Sequence, residues 1–257
     1  MIRAFRKPLI TIIGGMGPMA SIQLHQDIIL KSKAKIDQDY PNILHLSLSK
    51  QINDRTNFLL NPKIGINPGL QASNILKDNI KLNQKKLIVG VPCNTFHSPL
   101  IFNIFESKLT SNNNIIIINM INETVEYIKQ KNYKNVGILS TRGTRDTKLY
   151  QDFLELNNIN CTIVDEKHQK LLDEIIYNKE WGIKSLSYAT EKATQMIKYV
   201  INYLISINSN LDCIILGCTE LPLAILSNYY QEIELIDPLK ILAKTMLIKY
   251  NIAEKNT

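Results

Sequence analysis

The sequence predicts an α/β fold of parallel sheets covered by helices on each side, and three observations carry that expectation. Short apolar runs alternate along the whole chain with longer stretches of helical periodicity. Runs such as "PLITIIGG" (8–15) and "DCIILG" (212–217) are apolar at consecutive positions, as strands buried on both faces are. Gly, Pro and Asn punctuate the runs, and polar residues collect at their carboxyl ends, where the next helix begins.

The elements follow in order. After the strand 8–15, Pro18 suits the first turn of a helix, and Ala20, Leu24 and Ile28 keep the four-residue spacing of a buried face. "ILHLSLS" (43–49) alternates apolar and polar residues, a strand with one face less buried. The loop "NPKIGINPGL" (61–70) leads to a helix carrying Ala72, Leu76 and Ile80 on one side, and the strand "LIVGVP" (87–92) delivers Cys93. The second half repeats the pattern, with strands at 114–119, 135–141, 161–165, 212–217 and 233–237. Helices are expected at 123–131, 147–158, 168–181 and 186–206, then a short one after Cys218 and a last one begun at Pro238.

Composition narrows the function. A chain of 257 residues, 45% hydrophobic, can bury a proper core as one large domain or two small ones. No apolar stretch approaches the roughly 20 residues needed to cross a bilayer, and the start "MIRAFRKPLITIIGG" is too short in its apolar part for a secretory segment, so a soluble cytoplasmic protein is expected. The four cysteines, Cys93, Cys161, Cys213 and Cys218, then read as free thiols. The net charge of +7 comes from lysines spread along helices, without a basic block or aromatic platform, which argues against nucleic acid and leaves room for an anionic small substrate.

In parallel sheets ligands bind at the carboxyl ends of the strands. Four such ends carry polar clusters: "GGMGP" (14–18), "PCNT" (92–95), "STRGT" (140–144) and "GCTE" (217–220). Each offers backbone amides at a helix start, suited to a carboxylate or another anion. "GGMGP" lacks the Lys-Ser/Thr of a phosphate loop and the glycine spacing of a dinucleotide site. Cys161 and Cys213 read as core-packing thiols, and the four histidines fall in no ligand spacing, so neither a metal nor a CxxC redox pair is expected. His97, four residues past Cys93, reads as a packing residue one turn up a helix begun near Asn94.

Cys93 and Cys218, 125 positions apart, each close a strand and each precede a hydroxyl residue within two positions. This pattern reads as two related halves, each presenting one thiol to a common cleft. Inverting a carbon centre by proton transfer needs a base on one face and an acid on the other, because a single group returns the proton to the side it came from. A thiol suits both roles, since its reference pKa of about 8.5 lies near working pH and a helix N-terminus lowers it further. Asn94, Thr95, Thr141, Thr144 and Thr219 are placed to hold a carboxylate as charge develops on it.

"GGMGP", "NDRTNFLL", "VPCNTFH", "ILSTRGT", "ILGCTELPL" and "IDP" stand in the order and at about the spacing of the aspartate/glutamate racemases, which the sequence resembles over nearly its whole length. Glu220 after "GCT" is similar to the aspartate racemase branch, where the glutamate racemases typically have His. The resemblance implies a cofactor-independent, two-base racemase of an acidic amino acid, a homodimer with two similar α/β domains per chain, here 1–103 plus 223–257 and 104–222. It implies that Cys93 and Cys218 are the acid/base pair, that Asn94, Thr95 and Thr219 bind near the α-carboxylate with Phe96, Thr141 and Thr144 in the same binding set, and that Glu220 supports the second thiol or the amino group. Arg55 of "NDRT" would face the side-chain carboxylate; a surface ion pair with Asp54 or another acid is its alternative. The family pattern expects a second cation, a lysine two residues before a glycine, but in "IIYNKEWGIK" Glu180 holds that place and Lys179 is one off, which leaves aspartate, glutamate or a broader range open. Other functions on the same scaffold are a decarboxylase, which needs only one thiol, an isomerase, and a binding protein without turnover.

Overall fold

Consecutive apolar residues alternate between the two faces of a strand, so a run of isoleucines can be buried only where both faces are covered. The computed structural model, which describes residues 7–80, 86–110 and 113–255, shows this directly. The chain forms two compact units: one ends at Glu123 and resumes at Leu239, and the other spans Thr124–Pro238.

In the first unit the described elements run β1 (Leu9–Gly14), α1 (Pro18–Lys31), β2 (Ile43–Ser47), α2 (Arg55–Leu60), α3 (Pro68–Asn79), β3 (Leu87–Gly90), α4 (Pro99–Ser107) and β4 (Ile115–Ile117), with α5 (Met120–Gln130) crossing the boundary. Its four strands are parallel in the order β2-β1-β3-β4. Ile10, Ile12 and Ile88 join a core with Leu24 and Ile28 of α1, whereas Ile13, Leu87 and Val89 join a separate core with Leu76 of α3 and Ile101 and Phe105 of α4. Pro18, Pro68 and Pro99 each start a helix, where the missing N–H costs no bond.

The second unit contains β5 (Asn135–Ser140), α6 (Arg142–Asp146), α7 (Leu149–Glu155), β6 (Asn160–Ile163), α8 (Glu166–Tyr177), α9 (Ile183–Leu186), α10 (Glu191–Ile207), β7 (Cys213–Gly217), β8 (Tyr229–Tyr230) and β9 (Ile233–Ile236). Its sheet order is β6-β5-β7-β9-β8, parallel except for the short β8–β9 hairpin pair. The last helix, α11 (Pro238–Lys255), belongs to the first unit, where Leu242 and Met246 pack beside Ile10 and Ile12.

The α/β class with parallel-dominated sheets is as the sequence predicts, and several details differ. The units change at 123/124 and 238/239 instead of 103/104 and 222/223, because β4 adds to the first sheet beside β3 and β9 adds to the second beside β7. The expected helix 147–158 is shorter, Leu149–Glu155, and begins only after Lys148, whose backbone is left-handed with φ 51°. Part of "STRGT" is itself helical, because Thr141 caps α6. The helix expected at 168–181 spans Glu166–Tyr177, since Asp165 accepts the His168 N–H and sets an earlier start. Cys161, expected in the core, is exposed, because β6 is an edge strand. No helix among the described residues is long and apolar enough to cross a membrane.

Both sheets place their first four strands in the same order, so β1 corresponds to β5 and β3 to β7. In each, the chain moves outward from the first strand on one side, then returns to build on the other. The point of reversal lies between β1 and β3 in the first unit and between β5 and β7 in the second, and sheets of this kind bind ligands outside the carboxyl ends at that point.

Candidate active site

In the first unit the residues at that reversal come from "GGMGP" after β1 and "PCNT" after β3. Gly15 has φ +94°, and a Cβ there would lie 2.8 Å from the Ser49 backbone nitrogen, so the loop needs glycine to turn so close to the segment after β2. Arg55 begins α2 and is buried; its Nη2 donates to the Met16 carbonyl and its Nη1 to the Asn53 carbonyl, both at 3.2 Å. A guanidinium is thereby held against the loop that follows β1. The neighbouring Asp54 instead accepts the Asn57 N–H at 2.8 Å and caps the helix.

Cys93 follows β3 in extended conformation with φ −156°, and Asn94–His97 make a single 3-10 turn before α4. Cys93, Asn94 and Thr95 are all buried. Phe96 turns into the core with no exposed surface and meets Phe105 edge-on at 5.3 Å, so its side chain packs the floor of the turn where the resemblance implied a binding residue. His97 lies on this turn and not on a longer helix: its Nδ1 lies 2.9 Å from the Cys93 carbonyl oxygen, and its ring stacks on Phe102 at 4.9 Å. The carbonyl fixes Nδ1 as the protonated nitrogen of a neutral ring.

Burial is the main cause that lowers the His97 pKa from 6.5 to about 4, against weaker support from the Cys93 and Ile118 carbonyls. The unfolded chain therefore binds a proton that the folded chain does not between about pH 6.5 and 4, and stability falls as pH falls through that window. We expect a loss of about 3 kcal/mol from this residue, read as a drop in the denaturation midpoint; a His97→Asn variant should lose that part of the pH dependence.

In the second unit the equivalent ends are "STRGT" after β5 and "GCTE" after β7. Thr141 and Thr144 are buried, with the Thr141 hydroxyl donating to Thr144 Oγ1 at 3.2 Å. Gln169 donates to the Ser140 carbonyl and to Asp173 Oδ1, both at 3.0 Å, which ties the end of β5 to α8. Arg142 reaches outward to Asp173 and Glu166 at 3.1 and 2.8 Å.

Cys218 is buried next to Thr219 and Glu220. Its thiol donates to Glu220 Oε2 at 3.1 Å, and the Thr219 hydroxyl donates to the same oxygen at 3.1 Å. The sequence predicts a thiol pKa lowered by a helix start. The Cys218 pKa lies well above the ordinary thiol value, first because burial penalises the thiolate and second because the Glu220 carboxylate repels it; Lys184 works in the opposite direction. A three-residue 3-10 turn, Leu221–Leu223, follows Cys218, too short a dipole to offset burial.

The cation that sequence reasoning missed is Lys184, whose Nζ lies 4.0 Å from Glu220 Oε1 and 5.2 Å from the Tyr177 ring centroid. Lys179 and Glu180, the expected positions, are exposed. Lys184 sits in a four-residue helix, and one turn leaves no periodic signal that could have marked it. Cys213 is buried within β7, as a core thiol should be. Among the described residues no three His, Cys, Asp or Glu side chains come together as a metal site.

A family model described as Asp/Glu/Hydantoin racemase matches residues 13–246. The aspartate racemase of Picrophilus torridus superposes with a TM-score of 0.74 at 26% identity, covering 95% of this chain and 94% of that one. An aspartate racemase homologue from Pyrococcus horikoshii gives 0.68 at 22% identity over 96% and 99%. Glutamate racemase from Francisella tularensis, in complex with D-glutamate, gives 0.63 at 17% over 98% and 84%; these last two likenesses are of fold. An uncharacterized protein of Pectobacterium carotovorum is 35% identical over 107 residues, a match that spans 66% of that relative and 42% of this chain.

Proposed function

Because the chain belongs to the Asp/Glu/hydantoin racemase family, we propose that it interconverts the L- and D-enantiomers of an acidic amino acid, aspartate or glutamate, with two cysteines as its acid and base and without a cofactor. One observation carries this reading: at corresponding strand ends of two sheets with the same strand order, the chain presents a buried thiol followed by polar residues, Asn94 and Thr95 after Cys93, Thr219 and Glu220 after Cys218. One thiolate removes the α-proton from one face of the substrate, and the other thiol delivers a proton to the opposite face; the roles exchange in the reverse direction. Asn94, Thr95, Thr141, Thr144 and Thr219 hold the α-carboxylate, where negative charge grows as the proton leaves. A cytoplasmic homodimer is part of the same proposal.

The experiment is incubation of the pure protein with single enantiomers of aspartate, glutamate and neutral amino acids, without pyridoxal phosphate, followed by chiral chromatography. Formation of the opposite enantiomer of an acidic amino acid supports the reading; inertness toward every amino acid, with binding retained, replaces it with an amino-acid sensor.

Arg55 favours an acidic side chain over a broad range, because its buried guanidinium sits at the β1 loop. Replacing it by methionine should raise KM for the acidic substrate by about 10- to 100-fold, the loss of a charge-assisted pair. Steady-state kinetics on aspartate, glutamate and alanine checks this: alanine, with no side-chain carboxylate, should be far less affected. Arg55→Lys should recover only part of the loss, since an ammonium cannot reproduce the two-pronged geometry.

A further inference from the structure

We propose that the groove along α8 beside Tyr199 of α10 is a second binding site, for a small organic anion with a flat apolar body, in which His168 supplies a hydrogen bond and Lys167 and Lys170 the charge. Nothing in it depends on the racemase reading, and none of its lining residues belongs to the four strand-end clusters.

His168 carries it. The residue is only 5% exposed, and its ring is fixed from two directions. Its Nδ1 lies 2.7 Å from Asp165 Oδ1, and the ring stacks on Tyr203 of α10 with centroids 3.4 Å apart and 9° between the planes. Asp165 accepts the His168 backbone N–H, the ring nitrogen and the Tyr203 hydroxyl, which together hold its carboxyl well below the usual carboxylate range. That carboxylate fixes Nδ1 as a protonated, donating nitrogen. Nε2 is buried as well, and no group among the described residues meets it. An unmatched buried polar atom destabilises a fold, so a ring held this firmly in that pose points to a partner from outside the chain.

The same ring lines a groove of about 560 Å³, a size that takes a small organic molecule. Leu171 and Tyr199 supply apolar walls, and the Tyr199 ring lies 5.7 Å from the His168 ring at 30° to it, so a flat body finds aromatic faces to lie on. Charge comes from the rim. Lys167 and Lys170 are exposed, and neither has a carboxylate within 4.0 Å among the described residues. Glu174, the one acid of the lining, accepts from Asn178 Nδ2 at 2.8 Å. Two unpaired cations against one hydrogen-bonded acid favour an anion. A carboxylate shared between a lysine and His168 gives Nε2 its partner, with the imidazole then donating one N–H to Asp165 and the other to the ligand.

Naphthalene-2-carboxylate is the probe, and naphthalene-2-carboxamide its neutral counterpart. Titration calorimetry on the full chain should show saturable binding of the carboxylate, with the carboxamide at least about tenfold weaker for want of the charge-assisted bond. His168→Phe, which keeps a ring against Tyr203 but has no Nε2, should weaken binding about tenfold or more, and so should Lys167→Met/Lys170→Met, at two exposed positions. In protein with 15N-labelled histidine, the His168 Nε2 resonance, assigned by through-space contacts to Tyr203, should shift as the probe saturates. Excess aspartate should leave the binding unchanged. No saturable binding, equal affinity for the carboxamide, or an Nε2 resonance that stays in place overturns the site, even where His168→Phe fails to fold. Binding that persists undiminished in a folded His168→Phe protein, or that aspartate displaces, puts the probe elsewhere and overturns the site as well.

Discussion

Replacement of either Cys93 or Cys218 by serine is expected to lower racemisation by at least about 10³-fold, a loss of some 4 kcal/mol of transition-state stabilisation. A serine hydroxyl is too weak an acid to form the anion at working pH, so each variant keeps one competent group and loses the other. Each should still exchange the α-proton of one enantiomer with solvent, and the two variants should select opposite enantiomers. The surrounding turns need not rearrange: Cys93 and Cys218 are buried among short 3-10 turns, and the change from sulfur to oxygen is small. Unchanged thermal midpoints with lost turnover would place the effect in chemistry; a variant that still racemises within about tenfold of the parent would remove that cysteine from the mechanism.

Phe96→Ala is expected to cost about 3–5 kcal/mol of stability, the usual range for emptying a buried phenylalanine site. The ring is fully buried, within a cluster that contains Leu76, Ile101, Phe102 and Phe105, and it meets His97 at 6.2 Å as well as Phe105 at 5.3 Å. It therefore supports the turn that carries Cys93, Asn94 and Thr95 from below. Phe96→Leu, which keeps most of the volume, should cost well under half as much and leave KM near that of the parent. Denaturant unfolding and steady-state kinetics on the pair of variants separate the two roles. A stable Phe96→Ala protein with a strongly raised KM would instead return Phe96 to the substrate-binding set.

The strands were readable because sheets covered on both faces leave a dense apolar signature: the stretch from Ile10 to Ile13, interrupted by the buried Thr11, and the run from Ile214 to Leu216 each divide between two faces. The same signature placed the strand ends, and with them both thiols and their hydroxyl neighbours, since ligand chemistry in such sheets gathers at carboxyl ends. Local electrostatics was not readable. Whether Cys218 has a raised or lowered pKa depends on burial and on Glu220 two residues away, and a sequence shows the neighbour but not the desolvation. Lys184 was invisible because a one-turn helix has no period, and its partner is 36 residues further on. The edge position of β6 decided the exposure of Cys161, and strand order is a property of the whole sheet. The unit boundaries were misplaced for the same reason: β4 and β9 look alike in sequence to strands of either half, and only their pairing with β3 and β7 assigns them.

The two-base mechanism is tested most directly by the isotope in the first few per cent of conversion in D2O, starting from one enantiomer. Two thiols acting from opposite faces predict that the newly formed enantiomer carries solvent deuterium at the α-carbon while the remaining starting enantiomer stays protiated. Deuterium entering the starting enantiomer as fast as the product, or protium carried over into the product, would mean that a single group handles both faces, and would contradict the roles given to Cys93 and Cys218.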